Sequence, residues 1–414
     1  MSKKKLTALY SLLIVLSVFP YLFYAIAMIR LKAWVLWTYS TADLNVSAIG
    51  TFFVYFKDLI AVLIFAILFQ RKAKISKTTG IFCGVILYGE VILCINGTLR
   101  FSYFVAGFRA LLYFMVALLY ARTVVSDGDA ARTIKKIRKL VVTCVFVEAG
   151  VVIAQINSMN IWKYVGTGGY RICGTFGNGG ALGSFCVAAI FVLLVSSQKY
   201  ELIQIEHLLT GAGCLFMAMA SGSRMSMMLT GITFMALTND YLGMVIKLKR
   251  CDRVLLLFFV AVLAVVPMYS FMIEYTARGN IMVSGSMRLD ILRGFFTDNS
   301  LVQLLFGHGL GYGTNAAVNM GIEGSQILDG TFTTVFVQFG LMGLALFVYL
   351  SGKLFVCLWK RLNPIITFVA FLDYFVICIT INLFEQIALN TIGITVLFIL
   401  YYDLRGEIAG QLEN

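Results

Sequence analysis

Apolar stretches of roughly 20 residues, the length that crosses a bilayer core as an α-helix, recur along the chain between short polar segments. They lack the strict alternation of a membrane β-strand, and lipid satisfies no backbone hydrogen bonds, so helices are expected. The pattern predicts an all-α bundle of about twelve membrane helices, forming one integral membrane domain over 1–414. The predicted helices are 6–29, 48–69, 80–98, 102–121, 140–157, 180–197, 207–220, 225–240, 254–272, 331–352, 365–384 and 390–403.

Composition supports a membrane protein. Apolar residues make up 60% of the chain and charged residues 13%, against about 25% charged in soluble domains. Lys3, Lys4 and Lys5 precede the first apolar stretch, 6–29. That stretch is too long for a signal peptide and has no convincing cleavage site, so it predicts a membrane helix.

The basic residues predict the orientation. With the N-terminus inside, 22 of the 33 Lys and Arg residues fall in cytoplasmic segments and nine in outer segments, while Lys57 and Arg109 lie within helices. This asymmetry follows the positive-inside rule. It predicts a multi-pass protein with both termini cytoplasmic, and it explains much of the net charge of +13 without a nucleic-acid partner.

The outer basic residues differ in kind from the inner ones. Seven of the nine are Arg, whereas Lys outnumbers Arg by 14 to 8 on the inner side. Arg binds phosphate oxygens through a planar fork. An Arg-rich outer face therefore suits a phosphate ligand, although chance or pairing with outer carboxylates explains it too.

The longest connection, 273–330, is predicted to be a large extracytoplasmic loop. Loops of this length are usually functional or disordered. Residues 286–306 have the pattern of one amphipathic helix lying on the membrane surface. A glycine-rich turn, 307–313, follows it. Together they suit a site at the boundary between water and lipid.

Two outer motifs precede membrane helices. Arg171 begins the glycine-rich run 171–180, where helix N-terminal N–H groups attract anions. Ser221-Gly222-Ser223-Arg224 forms a predicted sharp turn that places an Arg at the bilayer surface. An ordinary loop with a helix cap explains the first equally well, and an Arg that reaches the lipid headgroups explains the second.

A third group lies in the large loop: Arg288, Arg293, His308 and Asp329. A histidine or a carboxylate there is able to take a proton from an attacking hydroxyl. A structural hydrogen bond for His308 and a helix N-cap for Asp329 are the simpler interpretations.

Ionisable residues also occur inside predicted membrane helices, where they are usually functional or paired. Lys57, Asp58 and Arg109 lie towards the outer ends of their helices and are candidates for lining one cavity. Glu90, Glu148 and Asp373 are the others, and Glu148 and Asp373 are equally plausible as structural partners. Two histidines, and nine cysteines with no CxxC pair, predict neither a zinc site nor a disulfide framework.

Taken in order, these motifs resemble the Wzy-type O-antigen and capsular polysaccharide polymerases, and more loosely the O-antigen ligases. The resemblance covers most of 50–350. It is carried by Lys57-Asp58, Gly174-Thr175-Phe176-Gly177-Asn178, Ser221-Gly222-Ser223-Arg224, Arg288, Phe306-Gly307-His308-Gly309-Leu310-Gly311, and Asp329 with Gly340-Leu341-Met342-Gly343. The ligases typically have a His-Asn pair where this chain has Asp329-Gly330, which favours polymerase.

The resemblance implies a GT-C-like membrane glycosyltransferase that acts on the outer leaflet. Its donor is a polyprenyl diphosphate-linked glycan and its acceptor a lipid-linked repeat unit, with no metal or other cofactor. Arg224 and Arg288 are then expected at the diphosphate, with Arg171 and Arg293 as further candidates. Lys57 and Asp58 are also expected at the substrate, and Asp329 or His308 is the expected base. Membrane lipids, a chain-length regulator and a flippase are the partner classes.

Three other functions stay open from the sequence. A ligase would transfer finished polymer to a terminal acceptor. A lipid-linked oligosaccharide flippase or transporter is compatible with the intramembrane charges, although flippases lack one dominant outer loop. A non-catalytic assembly subunit would tolerate the loss of any single outer Arg.

Overall fold

A computed structural model gives the fold of the chain. It describes residues 3–31, 48–71, 77–97, 100–158, 172–176, 178–200, 205–247, 249, 252–253, 290, 293–297, 299–314, 317 and 330–412. These residues form helices and no strand, which confirms the all-α prediction.

Most of the described chain lies in α-helices. They are α1 (Lys3–Val18), α2 (Leu22–Leu31), α3 (Ala48–Arg71), α4 (Lys77–Ile95), α5 (Phe101–Ser126), α6 (Ala130–Ser158), α7 (Gly179–Tyr200), α8 (Ile205–Ala220), α9 (Arg224–Met244), α10 (Leu301–Phe306), α11 (Thr331–Arg361), α12 (Pro364–Thr380) and α13 (Thr395–Leu412). A 3₁₀ turn, Leu383–Glu385, and a π-helical segment, Leu389–Ile394, precede α13.

Eleven of the twelve predicted membrane helices coincide with described helices, while 254–272 lies outside the described residues. Five described stretches are long and apolar enough to cross a membrane: Lys3–Ala27, Phe101–Ser126, Ala130–Ser158, Gly179–Lys199 and Thr331–Arg361. The fold is therefore that of a helical membrane protein, and the number twelve remains a prediction.

Helix α7 lies at the centre of the bundle. It packs against α6, α8, α9, α12 and the π-helical segment. Its side chains are apolar on every face, and every residue from Leu182 to Ser197 is buried. A helix that is hydrophobic all round belongs in an interior, so α7 forms the core around which the other helices pack.

Helix α11 has the opposite exposure. Only 17% of its most apolar window is buried, against 89% for α7. Its exposed side chains include Leu341, Met342, Tyr349 and Trp359. A large exposed apolar surface is unfavourable in water, so this face of α11 is suited to contact with lipid.

The predicted single helix 6–29 is wrong at one point, because the chain bends at Phe19–Tyr21 between α1 and α2. Pro20 lies in the bend, and a proline ring has no N–H and clashes with the preceding turn. The bend leaves backbone groups without helical hydrogen-bond partners, and the Gly174–Phe176 segment bonds two of them. Tyr21 N–H donates to Thr175 O, and Thr175 Oγ1 donates to Val18 O.

The predicted continuous helix 286–306 is also wrong within its described part. Residues 293–297 are helical, Asn299 and Ser300 are not, and the separate short helix α10 begins at Leu301. Ser300 and Gln303 form a capping box, each side chain bonding the other residue's backbone N–H. Phe296, Leu301 and Val302 are exposed, as expected of a segment on a membrane surface.

Candidate functional site

Lys57, Asp58 and Arg109 meet between α3 and α5. The Asp58 carboxylate accepts a hydrogen bond from Arg109 Nε at 3.2 Å and another from the Tyr113 hydroxyl. Lys57 Nζ lies 3.5 Å from Asp58 Oδ1. Lys57 is 2% exposed, whereas the Arg109 side chain is 35% exposed. This ion cluster holds two cations and one anion, so it presents a net positive charge through Arg109.

The Gly174–Phe176 segment is bound tightly to α6. Glu148, fully buried, accepts the Thr175 N–H at 2.7 Å and contacts Thr175 Oγ1 at 2.7 Å. Gln155 bonds both backbone groups of Gly174, its Oε1 accepting from the N–H at 3.0 Å and its Nε2 donating to the carbonyl at 2.9 Å. Glu148 therefore has the structural role that the sequence left open.

The Ser221–Ser223 turn lies next to the Gly174–Phe176 segment. Ile172 N–H donates to Ala220 O at 3.1 Å, which ties the segment before Thr175 to the end of α8. Gly222 has a φ of 62°, as a sharp turn requires. Arg224 follows as the first residue of α9 and is half-buried.

The glycine-rich turn, 307–313, bonds backbone carbonyls that are left free where α11 is interrupted. Gly340, with a φ of 65°, interrupts the helix and frees the carbonyls that residues 341 and 342 would otherwise bond. His308 N–H donates to Val337 O and Gly309 N–H donates to Gln338 O, both at 2.9 Å. The turn thus caps the first half of α11.

Two neighbouring helices hold this turn from the other side. Leu310 N–H donates to Gly89 O of α4 at 3.3 Å, and Asn96 Nδ2 lies 3.4 Å from the carbonyls of Gly307 and His308. A Cβ atom added to Gly107 of α5 would collide with Leu310. Close backbone approach therefore requires glycine in α5 as well as in the turn.

His308 lies in an aromatic column. Its ring stacks on Tyr312 with centroids 4.6 Å apart and meets Phe295 edge-on at 5.3 Å. Tyr312 in turn stacks on Tyr103 of α5 at 6.3 Å. Burial lowers the pKa of His308 below its ordinary value near 6.5, so the imidazole is neutral at pH 7 and able to accept a proton.

These segments gather at one end of the bundle, which we call the motif end: the start of α5, the end of α6 and the turn between α8 and α9. Tyr21, bonded to Thr175, also lies within electrostatic range of Arg109. Arg109 and Gly107 are two residues apart on α5, about 3 Å along the axis. They face different sides of that helix, with the ion cluster on one and the glycine-rich turn on the other.

The opposite end of the bundle, which we call the basic end, carries other ion pairs. Lys3 Nζ lies 3.6 Å from Asp127 Oδ1, and Lys199 Nζ lies 2.6 Å from Asp403 Oδ2.

Five of the eight predicted site residues are described. Lys57 and Asp58 lie in the ion cluster, Arg224 begins α9, and His308 lies in the glycine-rich turn. Arg293 is exposed in 293–297. The other three, Arg171, Arg288 and Asp329, lie outside the described residues.

Two partners were missed by the sequence reasoning. Tyr113 follows Arg109 by one helical turn, a spacing that puts both on one face and offers a signal. Tyr312 has no comparable signal, because its contact with Tyr103 joins distant parts of the chain. Among the described residues, no group of three His, Cys, Asp or Glu side chains is placed to hold a metal ion.

Comparison of the chain with family models, with curated proteins and with solved structures finds no match.

Proposed function

We propose that the protein polymerises a bacterial surface polysaccharide on the outer face of the cytoplasmic membrane. One observation supports this most. Segments 174–176 and 221–224, distant in sequence, are joined at the motif end by the Ile172–Ala220 hydrogen bond beside them, and Tyr21, which is bonded to Thr175, lies within electrostatic range of Asp58 and Arg109. The proposal rests otherwise on the resemblance of these motifs to the Wzy-type polymerases.

The reaction would transfer a growing glycan from polyprenyl diphosphate to a lipid-linked repeat unit. The acceptor hydroxyl forms a bond to the anomeric carbon, the bond from that carbon to the diphosphate breaks, and the electron pair leaves with the diphosphate. A base takes the hydroxyl proton. The site therefore needs cations at the leaving group and a base at the acceptor.

We assign the diphosphate to Arg224 and Arg288, with Arg171 and Arg293 as further candidates. Placement of Arg224 at the N-terminus of α9 supports this, since helix N–H groups there favour an anion. The ion cluster adds positive charge at the same end. Asp58 pairs with both Lys57 and Arg109, so its single negative charge leaves one positive charge in the cluster unbalanced.

The base would be His308 or Asp329. The neutral state of His308 supports that role. The aromatic column holds the imidazole in place, because His308 is stacked on Tyr312 and meets Phe295 edge-on. A fixed imidazole would keep the base in one position relative to the acceptor hydroxyl.

The proposed orientation follows the positive-inside rule, with the basic end and both termini in the cytoplasm. Lys3 and Asp403 both take part in ion pairs at the basic end, consistent with this arrangement. The motif end would then face outward, where lipid-linked repeat units are polymerised.

The decisive experiment deletes the gene and complements it with wild type, Arg224→Ala, Arg288→Ala or the control Arg132→Ala. Arg132 pairs with Asp129 at the basic end. Lipid-linked and surface glycans are then sized on gels. We expect single repeat units from the deletion and from the first two variants, and long polymer from the control.

Other gel patterns would contradict the proposal. Long polymer that accumulates on the lipid carrier without reaching its final acceptor would identify a ligase. Repeat units trapped on the cytoplasmic side would identify a flippase. Polymer of normal length from both Arg variants would remove these residues from the site.

A further inference from the structure

A polar cavity of about 510 Å³ opens at the first turns of α6, at the basic end. It is lined by Lys135, Arg138, Lys139, Thr143 and Glu206. Arg138 lies 17 residues before Gln155 on the same helix, roughly 26 Å away along the axis. The cavity is therefore separate from the motif end.

The lining carries excess positive charge. Lys135, Arg138 and Lys139 have the i, i+3 and i+4 spacing that places them on one helix face. Among the described residues, no carboxylate forms an ion pair with any of the three, although Glu206 also lines the cavity. Like charges at this spacing repel each other, so the arrangement costs stability unless an anion offsets it.

Arg138 distinguishes this cavity from an ordinary basic membrane flank. The positive-inside rule explains exposed Lys135 and Lys139, but Arg138 is only 5% exposed. Its Nη1 donates to His207 Nε2 at 2.9 Å, and because guanidinium accepts no hydrogen bond, that ring nitrogen is the acceptor. The His207 contact therefore supplies no negative charge, and Arg138 Nε is buried without an acceptor among the described residues.

Burying a charge without a countercharge costs several kcal/mol. We propose that the cavity binds a phosphate group, with Arg138 at its floor and Lys135 and Lys139 at its mouth. Guanidinium matches phosphate oxygens in a bidentate fashion, and ammonium groups add point charges. The cavity volume is in the range of small-ligand sites. An anionic lipid headgroup or a soluble phosphate would supply the same chemistry.

The test compares two double variants of the full-length protein in nanodiscs. Lys135→Gln/Lys139→Gln removes two charges from the mouth and leaves the Arg138–His207 bond intact. Arg132→Gln/Lys136→Gln removes two charges from the same helix end, but those residues line a different cavity. The second variant controls for general attraction of anions to this end.

Two probes separate the sources of phosphate. Radiolabelled inorganic phosphate is titrated by equilibrium dialysis in phosphatidylcholine nanodiscs. Retention of phosphatidylglycerol from mixed nanodiscs is counted by native mass spectrometry. We expect saturable binding of at least one probe to wild type, weakened about tenfold, or about 1.4 kcal/mol, by Lys135→Gln/Lys139→Gln and little changed by the control.

Each result decides the proposal. Binding of phosphate identifies a soluble ligand, and selective retention of phosphatidylglycerol alone identifies a lipid headgroup. Saturable binding of neither probe, or equal losses in the two double variants, would overturn the phosphate site.

Discussion

Replacing Glu148 tests how the Gly174–Phe176 segment is held. Thr175 has one hydroxyl hydrogen, yet Val18 O and Glu148 Oε2 both lie 2.7 Å from its Oγ1. If the hydrogen goes to Val18 O, which the bend leaves free, the Glu148 carboxyl must supply the hydrogen for the other contact. Glu148 then acts as a neutral donor and acceptor.

The two substitutions of Glu148 should differ strongly. Glu148→Gln keeps both contacts, because the amide oxygen accepts the Thr175 N–H and the amide nitrogen donates to Thr175 Oγ1, so we expect a change below about 1 kcal/mol. Glu148→Ala leaves the buried Thr175 N–H without a partner and opens a cavity, at a combined cost of about 2 to 4 kcal/mol.

The assay heats purified protein in detergent with a thiol-reactive dye. Cys144, Cys186 and Cys214 are buried and become reactive on unfolding. We expect Glu148→Ala to lower the melting temperature by about 2 to 5 °C and Glu148→Gln to melt close to wild type. Glu90→Ala, at a half-exposed position of α4, is the matched control. A Glu148→Gln protein as unstable as Glu148→Ala would refute the neutral carboxyl.

Three further predictions concern the motif end. Asp58→Asn should lower the free energy of unfolding by about 1 to 3 kcal/mol in the same melting assay, since two cations lose a partly buried anion. Adding Arg109→Ala to that variant should recover part of the lost stability. If the effects of the two substitutions were simply additive, the two residues would not be coupled. Gly340→Ala should abolish long polymer in complemented cells, because its Cβ would collide with the backbone of Leu305 and Phe306 in α10. Gly352→Ala should not, because the space around Gly352 on the same helix is open. If His308 is the base, polymerisation in membrane vesicles should fall only as pH drops through its lowered pKa, below the ordinary 6.5, and His308→Gln should be inactive; a normal rate from that variant would exclude it.

The helices were predictable because apolar length dominates their sequence signal. Their interruptions were not all predictable. Pro20 gives a local signal for the first bend. The break in α11 at Gly340, by contrast, depends on the glycine-rich turn, whose N–H groups bond the free carbonyls of Val337 and Gln338. Such breaks depend on tertiary contacts that hydropathy does not contain.

The start of α6 shows the same limit. The sequence placed its basic residues in a cytoplasmic connection before 140, yet the helix begins at Ala130 and carries them. Because the helix continues, Arg138 is buried beside His207. For the ion cluster, by contrast, intramembrane charge and a position towards the outer helix ends made Lys57, Asp58 and Arg109 candidates for lining one cavity, and the three side chains do lie together.

The unequal burial of α7 and α11 has a consequence for sequence drift. Both helices are strongly apolar, but protein surrounds one and the other is largely exposed. Shortening a side chain in α7 leaves a void that its rigid neighbours fill poorly, whereas fluid acyl chains can fill the same gap beside α11. We expect α7 to accept few exchanges among Leu, Val and Ala, and the exposed face of α11 to exchange them freely. A deep mutational scan of the two helices should therefore give very different tolerance from nearly indistinguishable hydropathy.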